Sequence, residues 1–194
     1  FEAGTDWAYN NLGSIILGNI VELVSGQPLN IFMRDWLFRP LGMQNTWLGA
    51  LESYPEESMA HGYFTSQKDG EVLDSTKPDL SWASSSGDML SNLEDMLIWA
   101  DSLLKLNSPL GLALDDFRMV LVATGSEGNM KEYGLGFMGW NLNGRVLWGH
   151  GGDIHGYVSM KLIDPQSGIV IALMINLVED SDDLVPTLNL VLSV

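Results

Sequence analysis

Three short stretches hold side chains able to exchange protons or bind a polar substrate: Tyr9-Asn10-Asn11, Pro40-Leu41-Gly42-Met43 with Thr46, and His150-Gly151-Gly152. A phenol and an imidazole give and take protons, and a carboxamide donates and accepts at once. Asn11 follows Tyr9 by only two residues, so a turn entering a helix can aim both side chains into one cleft. The same triplet also suits an ordinary helix start, in which an Asn side chain accepts a backbone N–H. Other chemistries are excluded by what the chain lacks. Its 194 residues contain no cysteine, which removes thiol nucleophiles, disulfide frameworks, cysteine-ligated zinc and iron–sulfur clusters. His61, His150 and His155 are its only imidazoles, and they form no pair at the helical spacing of a zinc site. The acidic run Glu179-Asp180-Ser181-Asp182-Asp183 lacks the alternation of a calcium loop and reads as a solvated turn. No metal and no cofactor are expected, and His61 and His155 read as hydrogen-bonded loop histidines.

These stretches need elements to hold them. Leu12, Ile15, Ile16, Ile20, Leu23 and Val24 recur at helical spacing, which predicts a helix from about Asn11 to Ser25 with Gly26 as its C-terminal cap. A second helix is expected from Pro28, with Ile31, Phe32, Trp36 and Leu37 as its apolar stripe and Pro40 as its end. Residues 42–87 read as an irregular excursion pinned by buried rings at Trp47, Tyr54, Tyr63, Phe64 and Trp82. A third helix is expected over Asn92 to Leu106, its face made by Leu93, Met96, Leu97, Ala100, Leu103 and Leu104, with Ser91 and Glu94 as a capping box. From Tyr133 the pattern changes to short aromatic and branched runs, 133–141, 145–149, 157–164 and 168–177. They are separated by Asn143-Gly144, Gly151-Gly152 and Gln166-Ser167-Gly168 and read as antiparallel strands. A terminal helix is expected after Pro186. Helices first and a meander last make the fold class α+β.

In their order and context the motifs resemble a known family. The stretch Gly4 to Thr46 resembles the central part of the serine β-lactamase and penicillin-binding-protein family, in its class C, D,D-carboxypeptidase and carboxylesterase branch. Gly149-His150-Gly151-Gly152-Asp153 with Gly156-Tyr157, Asp164-Pro165 and Asn176 resembles the closing strands of that family, and His61-Gly62-Tyr63 and Ser84-Ser85-Ser86-Gly87-Asp88 through Asp95 follow its pattern between them. The resemblance covers nearly the whole chain. It implies a β-lactamase/transpeptidase-like fold, an antiparallel sheet packed with helices, of which these residues form the C-terminal portion. On this reading 1–194 is one partial domain, with 1–130 mainly helix and loop and 131–194 sheet plus a terminal helix. The family uses a serine in a Ser-x-x-Lys motif as acylating nucleophile. Carried over, Tyr9 matches the tyrosine thought to exchange the proton of the nucleophile and then of the leaving group. Asn11 matches the asparagine that hydrogen-bonds the catalytic lysine and the substrate amide. His150 matches the first residue of the third motif, where the family also uses lysine. Gly151 and Gly152 keep that strand free of side-chain bulk, so a substrate can lie alongside, and the N–H of Asp153 would be one oxyanion donor. A lysine suits the carboxylate of a β-lactam, whereas an imidazole is mostly neutral at pH 7, which tilts the expectation toward ester or peptide substrates.

The nucleophile motif lies ahead of Tyr-x-Asn in this family, and no Ser-x-x-Lys stands there in this chain. The string Ser102-Leu103-Leu104-Lys105 falls after it, in a helix whose Leu103 and Leu104 face the core, and is set aside. The reading is therefore a serine hydrolase with an acyl-enzyme mechanism, acting on an ester, peptide or β-lactam carbonyl, of which these residues are an inactive C-terminal part. The alternatives are a non-catalytic relative that binds an acyl or peptide-like ligand at Tyr9 and His150, and a structural fragment exposing an apolar face or sheet edge that self-associates or awaits an N-terminal segment. Composition bears on partners. With 25 acidic and 9 scattered basic side chains the net charge is -16, which argues against nucleic acid. The most apolar run, Ile169 to Ile175, is far shorter than the roughly 20 residues of a spanning helix and reads as a buried strand. The resemblance implies a periplasmic or secreted setting, which nothing in the residues themselves shows.

Overall fold

The structure, a computed structural model, describes residues 1–178 apart from residues 4, 67, 78, 106, 126–128 and 155. The expected terminal helix, the acidic turn at Glu179 to Asp183 and His155 lie outside the described residues. Among the described residues helices α1 (Asn11–Ser25), α2 (Leu29–Met33), α3 (Arg39–Leu41), α4 (Leu93–Ser102) and α5 (Leu114–Phe117) accompany eleven strands. The sheet that matters most is a six-stranded antiparallel meander of β5 (Val122–Ala123), β6 (Met130–Tyr133), β7 (Met138–Leu142), β8 (Arg145–Ile154), β9 (Tyr157–Ile163) and β10 (Val170–Ile175), with neighbours in chain order. β1 (Trp47–Leu48) pairs with β4 (Met89–Leu90), and β2 (Tyr63–Thr65) lies between β3 (Val72–Asp74) and β11 (Leu177–Val178). Among the described residues no single helix is long and apolar enough to cross a membrane.

The meander buries apolar side chains on both faces. Trp148 and Ile163 join Ala100, Leu103, Leu114 and Phe137 under α4 and α5, while Leu142, Leu147, Met160, Leu162 and Ile171 pack on the opposite face. Asn143-Gly144 forms the β7–β8 turn with both residues at positive φ, as the hairpin signal requires. Three strand expectations are corrected. The run 133–141 is two strands, because the chain turns at Gly134 to Gly136, where a Cβ on Gly134 would stand 2.2 Å from the Phe117 carbonyl oxygen. Gly151-Gly152 is no separator: β8 runs through it to Ile154, held by Met160 and Ser159 across the ladder. β10 is an edge strand with Ile171 buried and Met174 exposed, so it is not buried throughout.

The helices also depart from expectation in detail. α1 has the expected bounds and ends at Gly26 with φ 68°, yet its apolar stripe of Leu12, Ile16, Ile20, Leu23 and Val24 is exposed. Its buried residue is Gly18, which lies so close to Ser85 that a Cβ would meet the Ser85 hydroxyl at 2.3 Å. The second helix passes through Pro40. A π-turn over Arg34–Phe38 shifts the bonding by one residue, so that Arg39 donates to the Arg34 carbonyl and Pro40 falls in the opening of α3, where no N–H is needed. Gly42 at φ 78° makes the actual stop. Leu29 and Phe38 are buried, while Trp36 and Ile31 are exposed. α4 is capped by Asn92, whose side chain accepts from the Asp95 N–H, and Ser91 instead hydrogen-bonds Thr46. On its expected face Leu93 and Leu97 are exposed and Ala100 and Leu103 buried. None of the five rings expected to be buried in the 42–87 excursion is: Trp82 is 65% exposed, and Trp47, Tyr54, Tyr63 and Phe64 are half-buried.

Candidate active site

Tyr9 and His150, far apart in sequence, meet. Their ring centroids are 5.9 Å apart, and Tyr133 completes a cluster at 6.3 Å from Tyr9 and 6.0 Å from His150. Trp7 packs on Tyr133 at 5.3 Å. The register of the meander explains the meeting. Met138 of β7 pairs with Tyr133 on one side and Gly149 on the other, so beyond Gly149 strand β8 outruns its neighbour. His150 to Ile154 is paired to β9 along one edge and, among the described residues, to no strand along the other. Gly151, Gly152 and Asp153 lie on this overhang, with Gly152 and Asp153 exposed. An extended ligand backbone could add there as a further strand, and the absence of side chains on the two glycines leaves it room.

The entry into α1 sets the other arm. Asn10 caps the helix, its side-chain oxygen accepting from the N–H groups of Leu12 at 2.8 Å and Gly13 at 3.3 Å. Asn11 is thereby released from capping. It is exposed and its carboxamide has no hydrogen-bond partner among the described residues. The structure thus brings Tyr9 and His150 together and places Asn11 at the same helix mouth, without recording a contact between Asn11 and His150.

His150 is held by two hydrogen bonds. Its Nδ1 donates to the Gly151 carbonyl at 2.5 Å, and the Tyr133 hydroxyl lies 3.1 Å from its Nε2. Burial pushes the imidazole below its ordinary pKa, the bond to Gly151 opposes this, and the charge of Lys161 on β9 adds to the lowering. Tyr133 is pushed up by burial and by Tyr9. Reading the sequence assigned no role to Tyr133, Lys161 or Trp7. Nothing in the spacing of Tyr133 and Lys161 carries the signal, because strand register, set by distant turns, brings them to the site, while Trp7 arrives with Tyr9 two residues on.

Other features serve as scaffold. Thr46 is fully buried and donates to Asp95 at 2.7 Å, and the Asn45 N–H reaches the same carboxylate oxygen at 2.7 Å, so the segment after Pro40-Leu41-Gly42-Met43 ties α3 to α4. Asn176 donates to the His61 carbonyl, and Tyr157 to that of Ala60. Ser102 is buried with its hydroxyl given to the Trp99 carbonyl at 2.6 Å, and Lys105 pairs with Asp101 at the surface, which leaves neither poised as nucleophile or base. A hollow of about 820 Å³ lined by Glu56, His61, Phe64, Asp74, Thr76 and Lys77 contains no residue of the Tyr9–His150 cluster. Four of its charged groups are paired with one another, His61 with Asp74 at 3.0 Å and Lys77 with Glu56, and Glu57 adds a further carboxylate to its lining.

Comparison with known proteins agrees with this architecture. The family profile described as Beta-lactamase matches residues 1–193. The chain is 25% identical to an N-acetylmuramyl-L-alanine amidase of Bacillus subtilis, covering 91% of this chain and 45% of that protein. It is 24% identical to a D-aminopeptidase of Gluconobacter oxydans, covering 91% and 32%. The D-amino acid amidase of Ochrobactrum anthropi SV3, solved with D-phenylalanine, superposes with a TM-score of 0.86 at 26% identity, over 100% of this chain and 59% of that one. The chain therefore spans less than half the length of these two curated relatives.

Proposed function

Since the chain belongs to the beta-lactamase family and has its α+β, β-lactamase/transpeptidase-like fold, we propose that it forms part of a serine hydrolase that cleaves an amide or peptide bond, or an ester, through an acyl-enzyme. The observation that carries this reading is the meeting of Tyr9 and His150 beside an edge of β8 that no strand pairs among the described residues. The relatives are hydrolases, and two of them bear names that specify D-amino acid amides or peptides, which favours an amide over a β-lactam. A neutral imidazole at His150 points the same way, because it offers no fixed cation to a substrate carboxylate.

In the proposed reaction a serine outside these 194 residues attacks the carbonyl carbon, and its proton passes by way of Tyr9 to the departing amine. Water then attacks the acyl-serine, gives its proton back through the same phenol, and frees the acid. Asn11 would orient the substrate amide, and the overhang at Gly151, Gly152 and Asp153 would hold the acyl group and donate to the oxyanion. The exposed stripe of α1 is the proposed seat for the remaining part of the polypeptide.

The test uses two polypeptides. The 194 residues alone should not turn over D-phenylalanine amide or an activated ester. A polypeptide carrying a Ser-x-x-Lys segment ahead of Phe1 should, and Tyr9→Phe in it should lower kcat by about 100-fold or more. If Tyr9→Phe and His150→Ala both leave kcat/KM within about twofold, the site assignment is wrong. A parent sequence with no such segment would favour a non-catalytic binding relative instead. Turnover by the isolated chain that Ser102→Ala abolishes would move the nucleophile to Ser102.

A further inference from the structure

Lys161 is an unusual side chain to find beneath this site. It is 9% exposed and forms no salt bridge among the described residues, its ammonium standing 5.5 Å from the Trp99 ring centroid and 5.3 Å from that of Phe137. Buried lysines are normally paired, because desolvating an ammonium is costly. Here two ring faces supply partial compensation. Lys161 is the direct cross-strand partner of His150, so both side chains project from the same face of the β8–β9 ladder.

We propose that Lys161 and Tyr133 are positioning residues that lock His150 as a neutral imidazole carrying its proton on Nδ1, so that Nε2 accepts from the Tyr133 hydroxyl. The bond from Nδ1 to the Gly151 carbonyl fixes the proton on that nitrogen, because a carbonyl only accepts. Nε2 is then a lone-pair acceptor, and the Tyr133 hydroxyl 3.1 Å away is the donor. An imidazolium would have to donate from both nitrogens. That would reverse the Tyr133 bond and place a second cation next to Lys161 on one sheet face. The groups that face His150 among the described residues are Tyr9 ahead of α1, Tyr133 of β6 and Lys161 of β9, with Arg118 stacked at 4.6 Å on Trp148 farther along the same face. None of them is a carboxylate, so nothing in this set favours the charged ring. Burial acts in the same direction on both partners, lowering His150 and bringing Lys161 down to about 8. Lys161 therefore still carries most of its charge at neutral pH.

The consequence for the proposed hydrolase is selectivity. With its N–H given to Gly151 and its lone pair taken by Tyr133, the neutral ring presents no charge to the site, which suits an uncharged acyl portion and gives a carboxylate no anchor. This step rests on the hydrolase reading, while the state of His150 does not. The test is therefore spectroscopic and independent of turnover: nitrogen-15 chemical shifts of the imidazoles in the 194-residue chain across pH, with His150→Gln to assign the resonance and the exposed His61 as internal control. The expected result is an Nδ1–H tautomer at His150 and a midpoint below the ordinary histidine value. Lys161→Met, which keeps the packing, should raise that midpoint by about half a unit, and Lys161→Arg should restore it. Tyr133→Phe should admit a measurable share of the Nε2–H tautomer. An Nε2-protonated ring in the unaltered chain overturns the inference. So does a midpoint that Lys161→Met leaves within about 0.1 unit, provided that variant unfolds cooperatively.

Discussion

Gly149 and Gly151, on either side of His150, should respond very differently to a single methyl group. A Cβ on Gly149 would stand 1.7 Å from the Lys161 carbonyl oxygen, 2.7 Å from its carbon and 3.0 Å from the Leu162 Cα, all of them backbone atoms of the neighbouring strand. To reach ordinary contact the two strands would have to part by more than about 1 Å in an interior packed as densely as a crystal. The β8–β9 ladder has seven residue pairs, and losing two or three of its hydrogen bonds at about 1 kcal/mol each, together with loosened packing around Trp148, Leu162 and Ile163, amounts to about 3–5 kcal/mol. That is a large share of the roughly 5–15 kcal/mol that holds a domain folded. On Gly151 the nearest atom to a Cβ is the Met160 Cε at 3.2 Å, the mobile end of a flexible side chain, and the next is the Ser159 carbonyl oxygen at 3.5 Å. Gly151→Ala should cost less than about 1 kcal/mol. Urea unfolding followed by tryptophan fluorescence measures both, since Trp148 is buried beside the affected ladder. Free energies for the two variants within about 0.5 kcal/mol of one another would refute the argument, because it rests on the difference between a backbone and a side-chain obstacle.

Two further outcomes follow from the geometry. Asn10→Ala should destabilise the chain by about 1 kcal/mol in the same unfolding measurement, whereas Asn11→Ala should leave stability unchanged, since only Asn10 caps α1. Asp74 is held down to about 2 from its ordinary 3.8, first by the Thr76 hydroxyl, then by the Thr76 N–H and by His61. A depressed carboxyl stabilises the fold above 3.8 and ceases to do so as pH falls toward about 2, so thermal melts of Asp74→Asn should vary less than those of the unaltered chain across that window.

Much of the fold was legible in the sequence, for identifiable reasons. Short-range signals held: the Asn143-Gly144 turn, the span of α1 with its Gly26 cap, and the meander of alternating runs all follow from local backbone preferences. The errors arose where a local rule met a tertiary one. Pro40 stops a regular helix, but the π-turn at Arg34–Phe38 removes the need for its missing N–H. Gly151-Gly152 is a turn signal, yet both residues lie within β8, where the ladder pairs them with Met160 and Ser159. The candidate site divides the same way. Motif order singled out Tyr9 and His150, which the structure brings together, but not Tyr133 and Lys161, whose places depend on a register counted across β6, β7, β8 and β9.

The two arms of the candidate site are anchored unequally. His150 stands on β8 two residues after Trp148, which with Leu147 is buried in the core clusters, so its backbone is fixed by the centre of the sheet. Tyr9 precedes α1, which touches the body through Gly18, the 84–86 turn and α2, with the Ser85 hydroxyl donating to the Ser14 carbonyl at 2.8 Å. The opposite side of α1 presents Leu17, Leu23 and Val24 at 63%, 83% and 80% exposure. Covering each such side chain contributes about 1.5–3 kcal/mol, so a partner seated on that stripe would fix α1 more strongly than the contacts it now makes. The position of Tyr9 relative to His150 is therefore tied to whatever covers α1. In the proposed hydrolase Tyr9 relays a proton, and such a group works only when held within a fraction of an ångström of the productive geometry. In that proposal, a surface seated on α1 and the geometry of the candidate site are coupled through this one helix.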